Sequence, residues 1–368
     1  MKVFLMLIFF SASVFSQSQT DFVKHISNAT IYDVISDGEY IWAASYGNGV
    51  YRYSYKDNKW TNYSTQNNKL SIDFFYCIAS DGENVYAGST DGLFIFDKKR
   101  NVWTKRKFGK GGQLGNWIRS LEYDEAEKAI WIGRFMYLTK YDIVSKKFID
   151  YDLTVNKDVK TNTIKVIKTD GDSLVWFGTE NGLHKYNKRK GIPDENSITF
   201  YNNRLNYFNR DGKSISVSAL LFENNNVWIG LDEFITKENP TFNVGGLYKY
   251  DRLNTWERFD ETNGFKGNGI YDLSITGNKI WVSLYQFSIN SRETYGRGLA
   301  LLDKNTSRII SIEDEDIPQS IFSLYFDGMN LWLGTNQGVV QIVFQNDFVK
   351  NFRESLAKND KLYRKKID

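Results

Sequence analysis

Two histidines and one cysteine are the only side chains in this 368-residue chain with the usual credentials for nucleophilic or zinc chemistry, so their surroundings decide first what chemistry is open to it. His25 and His184 each lie among apolar residues beside a lysine, and neither falls in a cluster of carboxylates along the chain. Both read as structural histidines rather than bases or ligands. Cys77 sits in the apolar run Phe75-Tyr76-Cys77-Ile78-Ala79, where a small buried thiol is expected and a nucleophile is not. The same scarcity excludes a disulfide framework and any Cys/His zinc cluster. Glu313-Asp314-Glu315-Asp316 offers clustered oxygens to a hard cation, but its spacing matches no calcium loop and a solvated acidic loop is the expectation. No catalytic residue, metal or cofactor is therefore expected, which leaves recognition.

The elements that would carry a recognition surface announce themselves as a repeat. One short phrase occurs seven times: Ile41-Trp42-Ala43-Ala44, Val85-Tyr86-Ala87-Gly88, Ile130-Trp131-Ile132-Gly133, Val175-Trp176-Phe177-Gly178, Val227-Trp228-Ile229-Gly230, Ile280-Trp281-Val282-Ser283 and Leu331-Trp332-Leu333-Gly334. Successive aromatic positions are 44, 45, 45, 52, 53 and 51 residues apart. Each phrase follows an apolar-alternating run and a tight turn, as in Ile31 to Ile35 with Asp37-Gly38 or Ile321 to Tyr325 with Asp327-Gly328. Asp-Gly between two such runs predicts a two-residue type I′ hairpin. A third strand then begins at a glycine, as at Gly92 or Gly182, and an aromatic-led fourth run such as Trp60 to Tyr63 or Trp256 to Phe259 closes most units.

Four strands per unit of this length is the signature of a β-propeller blade, so the expected fold is all-β: seven four-stranded blades, with a short C-terminal helix. An aromatic content of 16% and only 3 prolines suit it. The seventh unit lacks a fourth strand after Val339 to Phe344, while Phe22 to Ile26 is a spare strand at the other end. Pairing the two would leave no open edge at the seam. The expected organisation is a signal peptide over 1–16, a propeller over 17–345 closed by the strand at 22–26, and an amphipathic basic tail over 346–368. Lys2 and the apolar stretch Val3 to Phe10 support export, because that stretch is too short to span a bilayer. In the tail, Phe348, Val349, Phe352 and Leu356 recur near helical spacing ahead of Lys361, Arg364, Lys365 and Lys366. The tail would dock on the propeller flank, or contact an acidic partner or a lipid surface.

The run Ile317-Pro318-Gln319-Ser320-Ile321 with Asp327-Gly328 and Leu331 to Gly338 resembles the two-component regulator propeller repeat, and Thr179-Glu180-Asn181-Gly182-Leu183 with Tyr186 repeats the match. The resemblance covers nearly all of the mature chain. It implies the periplasmic sensor regions of hybrid two-component proteins, thought to perceive extracellular material such as glycan fragments. No transmembrane helix, kinase or receiver region follows residue 344 in this sequence, so the resemblance implies fold and recognition more than direct signalling.

Candidate binding residues come from the repeat register. The residue four after each repeat aromatic falls at one height, giving Tyr46, Thr90, Phe135, Glu180, Asp232, Tyr285 and Asn336, with Arg134 one step earlier. Tyr46, Arg134, Phe135, Glu180, Asp232, Tyr285 and Asn336 are the expected ligand-binding set, since aromatic faces stack on a sugar or peptide while carboxylates and amides hydrogen-bond it. Insertions at Asp232 to Gly245 and Tyr285 to Arg297 would frame the set as loops, joined by the long connections Phe108 to Trp117 and Tyr201 to Ser214. The expected function is an exported, non-enzymatic, monomeric recognition propeller for a glycan or an envelope or extracellular protein. Net charge is only +3, so nucleic acid is not an expected partner, and no transmembrane segment is expected in the mature chain. The alternatives are a propeller-type lyase or hydrolase using carboxylates at the channel mouth, and an envelope assembly scaffold. A streptogramin lyase would need histidine chemistry at that mouth.

Overall fold

A computed structural model describes residues 21–192, 196–223 and 225–344, so the expected signal peptide and the C-terminal tail with its helix lie outside the described residues. Seven four-stranded antiparallel sheets stand in a ring. The innermost strands, in chain order, are Thr30–Ser36, Phe75–Ser80, Ile118–Asp124, Ile164–Asp170, Val217–Glu223, Gly269–Thr276 and Ile321–Phe326, one for each of blades 1 to 7. Each contacts the innermost strand of the blade before and after it all round the axis. In blade 7 the outermost strand is Asp21–His25, which pairs antiparallel with Gly338–Val343 in a register that sets Phe22 against Ile342. The ring is thus closed by hydrogen bonds between the two ends of the described chain, and no blade is left with three strands.

The repeat phrase is the second strand of every blade, and its chemistry explains its sequence. The indole Nε1–H of Trp42 donates to Asp37 at 2.8 Å, that of Trp131 to Asp124 at 3.1 Å, that of Trp176 to Asp170 at 2.9 Å, and that of Trp332 to Asp327 at 2.7 Å. Glu223 accepts from Trp228, Thr276 from Trp281, and in blade 2 Asp81 accepts from the Tyr86 hydroxyl. Each repeat aromatic is therefore buried between two blades with its one polar atom satisfied by the turn before it. This changes the reading of the Asp-Gly turns. They are not type I′ pairs: Gly38 has φ +89° while Asp37 keeps a negative φ, and the link is three residues long because the Asp37 carboxylate also accepts the N–H groups of Glu39 and Tyr40.

The glycine that ends most phrases is explained by the next blade. A Cβ on Gly230 would stand 2.6 Å from Cγ2 of Ile270, the first core residue of blade 6, and Gly88, Gly133 and Gly178 meet Ile118, Ile164 and Val217 in the same way. Small residue against β-branched residue is how each sheet seats on its neighbour. The core is accordingly seven clusters, one per blade interface, such as Trp176, Phe208 and Leu231 between blades 4 and 5 or Trp332, Ile31 and Tyr53 across the seam.

Every innermost strand also carries a β-bulge at the same place. The residues skipped by the ladder are Tyr32, Tyr76, Arg119, Lys165, Ser218, Tyr271 and Phe322. A bulge re-aims a side chain without removing the strand from its sheet. Here it does so seven times around one axis.

Candidate functional site

The bulge residues converge at the end of the axial channel where the innermost strands begin. Tyr32 stacks on Tyr76 with ring centroids 5.4 Å apart, Phe322 lies 4.9 Å from Tyr32, and Tyr271 lies 5.1 Å from Phe322. Blades 6, 7, 1 and 2 thus present one continuous aromatic arc. It widens outward through Tyr46 and Phe74, which touch at 4.9 Å and are 44% and 41% exposed. From Tyr76 it runs on to Trp117, against which Phe135 stacks at 5.3 Å.

Blades 3, 4 and 5 supply charge instead. Arg119 donates to Glu180 at 2.7 Å, and the Lys165 ammonium contacts the Asp232 carboxylate and the Ser216 hydroxyl. The other Asp232 oxygen accepts from the Tyr285 hydroxyl at 3.0 Å. Burial, and then the positive charge of Arg119, push the Lys165 amine down to about 7. Two cations are matched by two anions, so the mouth is polar and close to neutral.

Most of the expected binding residues do share one height. The backbone N–H groups of Phe135, Glu180, Asp232 and Asn336 each donate to the carbonyl of the residue two before the bulge, namely Trp117, Thr163, Ser216 and Ser320. Tyr46 and Tyr285 hold the equivalent ladder positions opposite Thr30 and Gly269. Tyr46, Phe135, Glu180, Asp232 and Asn336 all reach the mouth or its rim. Two of the set are different. Tyr285 is only 4% exposed: its hydroxyl donates to Asp232 and accepts from the Glu233 N–H, and its ring lies 4.4 Å from Tyr271. Arg134 is fully buried and does not line the surface, because it is spent on the connection before blade 3, donating to Gly115 O at 2.9 Å and Lys110 O at 3.2 Å while pairing with Asp150 at 2.9 Å.

The insertions lengthen the strands as well as the loops, with residues 235–242 and 289–292 left as the connections between them. Asn226–Phe234 with Asn243–Tyr250 in blade 5, and Lys279–Ser288 with Glu293–Asp303 in blade 6, form hairpins that rise beyond the ring. Gly245, at φ +65°, lets the first of them pass blade 6, since a Cβ there would meet Asn268 O at 2.3 Å.

Sequence reasoning missed Tyr32, Tyr76, Arg119, Lys165, Tyr271 and Phe322. In blades 1, 4 and 6 two successive positions after the first core residue escape full burial, but in blades 2, 3, 5 and 7 the second of them, Cys77, Ser120, Ala219 or Ser323, is itself buried, so the bulge leaves no uniform break in alternation. Below the mouth the channel holds a cavity of about 240 Å³ lined by Asp33, Glu122, Lys168, Asp272, Ser323 and Tyr325 among others. Its polar groups are clasps between blades. Asp33 accepts from Ile78 N–H at 2.9 Å, Asp272 from Leu324 N–H at 2.8 Å, Glu122 from Thr169 N–H at 3.0 Å, and the Ser323 hydroxyl from Val34 N–H at 3.1 Å. Burial raises Asp33 to about 7 and Asp272 to about 6, whereas the neighbouring Glu122 raises Lys168 above the usual lysine range.

The other groups weighed for chemistry lie elsewhere. His184 is buried with Nε2 at 2.8 Å from Thr161 O and is pushed down to about 4 by burial. His25 lies on the closing strand between Tyr53, Trp60 and Trp332. Cys77 is buried beneath blade 3, and burial drives its thiol well up. Glu313 pairs with Lys266 and Asp316 with Lys24 in an exposed loop. Among the described residues no group of three or more His, Cys, Asp or Glu side chains is placed to hold a metal ion, and no helix is long and apolar enough to cross a membrane.

No protein-family model and no curated protein sequence matches the chain. Solved structures do match it in shape. The extracellular domain of the putative hybrid two-component system BT4673 of B. thetaiotaomicron aligns at TM-score 0.63 and 21% identity over 88% of this chain, which spans only 39% of that one. Virginiamycin B lyase of Staphylococcus aureus aligns at TM-score 0.64 and 13% identity over 89% of this chain and 99% of its own. PorZ of Porphyromonas gingivalis, a surface component of the type-IX secretion system, aligns at TM-score 0.60 and 16% identity over 85% and 46% of the two chains. The likeness is one of fold: the chain is a seven-bladed β-propeller similar to the extracellular domain of BT4673.

Proposed function

We propose that the protein is an exported recognition propeller that binds a glycan or a protein segment at the channel mouth. The observation that carries this reading is the sevenfold bulge, which turns one side chain per blade out of the ladder and builds the arc Tyr271, Phe322, Tyr32 and Tyr76 opposite the pairs Arg119 with Glu180 and Lys165 with Asp232. Stacking faces beside satisfied, near-neutral polar groups suit an extended polar ligand with apolar faces. The likeness to extracellular domains supports export and a sensing role. The test is retention of glycans and envelope extracts on immobilised protein, comparing wild type with Tyr46→Ala/Phe74→Ala. The pair is exposed, so its loss should abolish retention at an unchanged melting temperature. Unchanged retention would remove the mouth as the site.

A lyase is the second reading, favoured by the depressed Lys165 amine beside Asp232 and by the fold likeness to virginiamycin B lyase. A histidine-to-alanine variant of that lyase is catalytically inactive. In this chain both histidines lie away from the mouth, on the outer strand of blade 7 and on the third strand of blade 4, which weighs against that reading. Incubation with virginiamycin B, followed by chromatography for a cleaved product, separates the two.

A further inference from the structure

The two raised hairpins of blades 5 and 6, with Glu261 and Asn268, line a crevice of about 810 Å³. Glu233 forms part of its floor and is only 5% exposed. Buried Asp124 meets Lys188 at 2.8 Å and buried Arg134 meets Asp150 at 2.9 Å, whereas Glu233, like the channel carboxylates Asp33 and Asp272, is held by hydrogen bonds alone. Glu233 has no opposite charge within 4.0 Å among the described residues. Its Oε2 accepts from Phe287 N–H at 2.7 Å and its Oε1 from the Asn268 amide at 3.2 Å. The same amide nitrogen reaches Glu261 at 3.4 Å, so one neutral donor is shared by two carboxylates.

Of the two nearby arginines Arg258 is paired with carboxylates, whereas Arg297 stands on the crevice wall and hydrogen-bonds a neutral amide. Arg258 lies 3.4 Å from Asp260 and 3.8 Å from Asp211, and Arg297 donates to the Gln286 side-chain oxygen at 3.1 Å. A buried carboxylate without a counter-charge costs free energy that an incoming cation would recover. Tyr295, 46% exposed on the crevice wall, adds an aromatic face of the kind cations favour. We infer that this crevice binds an organic cation, an ammonium or guanidinium group, between Glu233 and Glu261 and against Tyr295. A neutral sugar or peptide would leave Glu233 uncompensated, which is why charge and not hydrogen bonding alone defines the ligand.

The test is calorimetric titration of the full chain with N-acetyl-arginine amide, N-acetyl-lysine amide, glucosamine, and N-acetyl-citrulline amide as the neutral isostere of arginine. At least one cation should bind, with citrulline about tenfold weaker or worse. The ranking of amino-acid amides against glucosamine assigns the source to a protein or to an amino sugar. Glu233→Gln keeps an acceptor for Phe287 N–H and should weaken the cation about tenfold. Glu261→Gln, on an exposed residue whose loss does not endanger the fold, should weaken it about threefold. Tyr46→Ala/Phe74→Ala should leave it unchanged, which separates this site from the mouth. No cation binding at millimolar concentration, equal binding of citrulline, or full affinity in either carboxylate variant would overturn the inference.

Discussion

Asp33 shows how a channel carboxylate can look catalytic and be structural. Its pKa of about 7 comes first from burial, and its oxygens accept from Ile78 N–H of the next blade and from Ser323 on the previous one. Because the folded value lies above the unfolded one, the stability it contributes is fully present below about pH 4 and is lost as pH rises through 7. Asp33→Asn keeps an acceptor without the charge, so its melting temperature relative to wild type should be higher at pH 8 than at pH 5. Asp33→Ala strands the Ile78 N–H and should cost about 1–3 kcal/mol at pH 5 and less at pH 8, where wild type has lost the contribution of the protonated carboxyl. A difference between Asn and wild type that does not change with pH would show that folding does not raise the Asp33 pKa. Residues of this kind were hard to read in the sequence, since nothing local in Ile31-Tyr32-Asp33 says that the carboxylate reaches another blade. Arg134 misled for the opposite reason: its place beside the rim position was right, but the connection it anchors is distant in sequence.

At the scale of elements, the repeat phrase was legible because each of its residues answers a separate demand. The aromatic needs an acceptor five to seven residues earlier, supplied by Asp37 for Trp42 and by Asp124 for Trp131. The glycine leaves room for the next blade. Gly230→Val should therefore force Ile270 aside and destabilise by about 1–3 kcal/mol, read as a lower denaturant midpoint at unchanged slope. The bulge was illegible as such, because a single skipped residue alters side-chain direction without altering composition. The extended hairpins passed for loops since Phe234 to Asn243 and Ser288 to Glu293 carry turn residues that hide where the strands stop. On the closing strand, His25 Nδ1 accepts from Trp60 Nε1–H at 3.2 Å while Nε2 meets Gln341 Oε1 at 2.9 Å, so the ring is held neutral. Burial lowers its pKa; the stability it adds is present above about 6.5 and is lost as pH falls through the folded value. His25→Gln should reduce the loss of melting temperature between pH 7 and pH 5, and an unchanged pH profile would place the acid sensitivity elsewhere.

For the whole molecule, the seam is where a closed ring is weakest and the mouth is where seven blades act together. Deleting residues 21–25 exposes the edge of Gly338–Val343 and should lower the melting temperature by many degrees, with no loss counting against closure by that strand. The mouth makes the larger claim, because its aromatic arc and its ion pairs come from different blades and exist only when the ring is complete. The direct measurement is amide hydrogen exchange of the wild-type protein with and without the ligand it retains best. The account predicts protection concentrated at the starts of the innermost strands around Tyr32, Tyr76, Arg119, Lys165, Tyr271 and Phe322, and at the rim around Tyr46 and Phe135. Protection confined to the outer strands, or to the opposite end of the channel around Ser36 and Ser80, would contradict it.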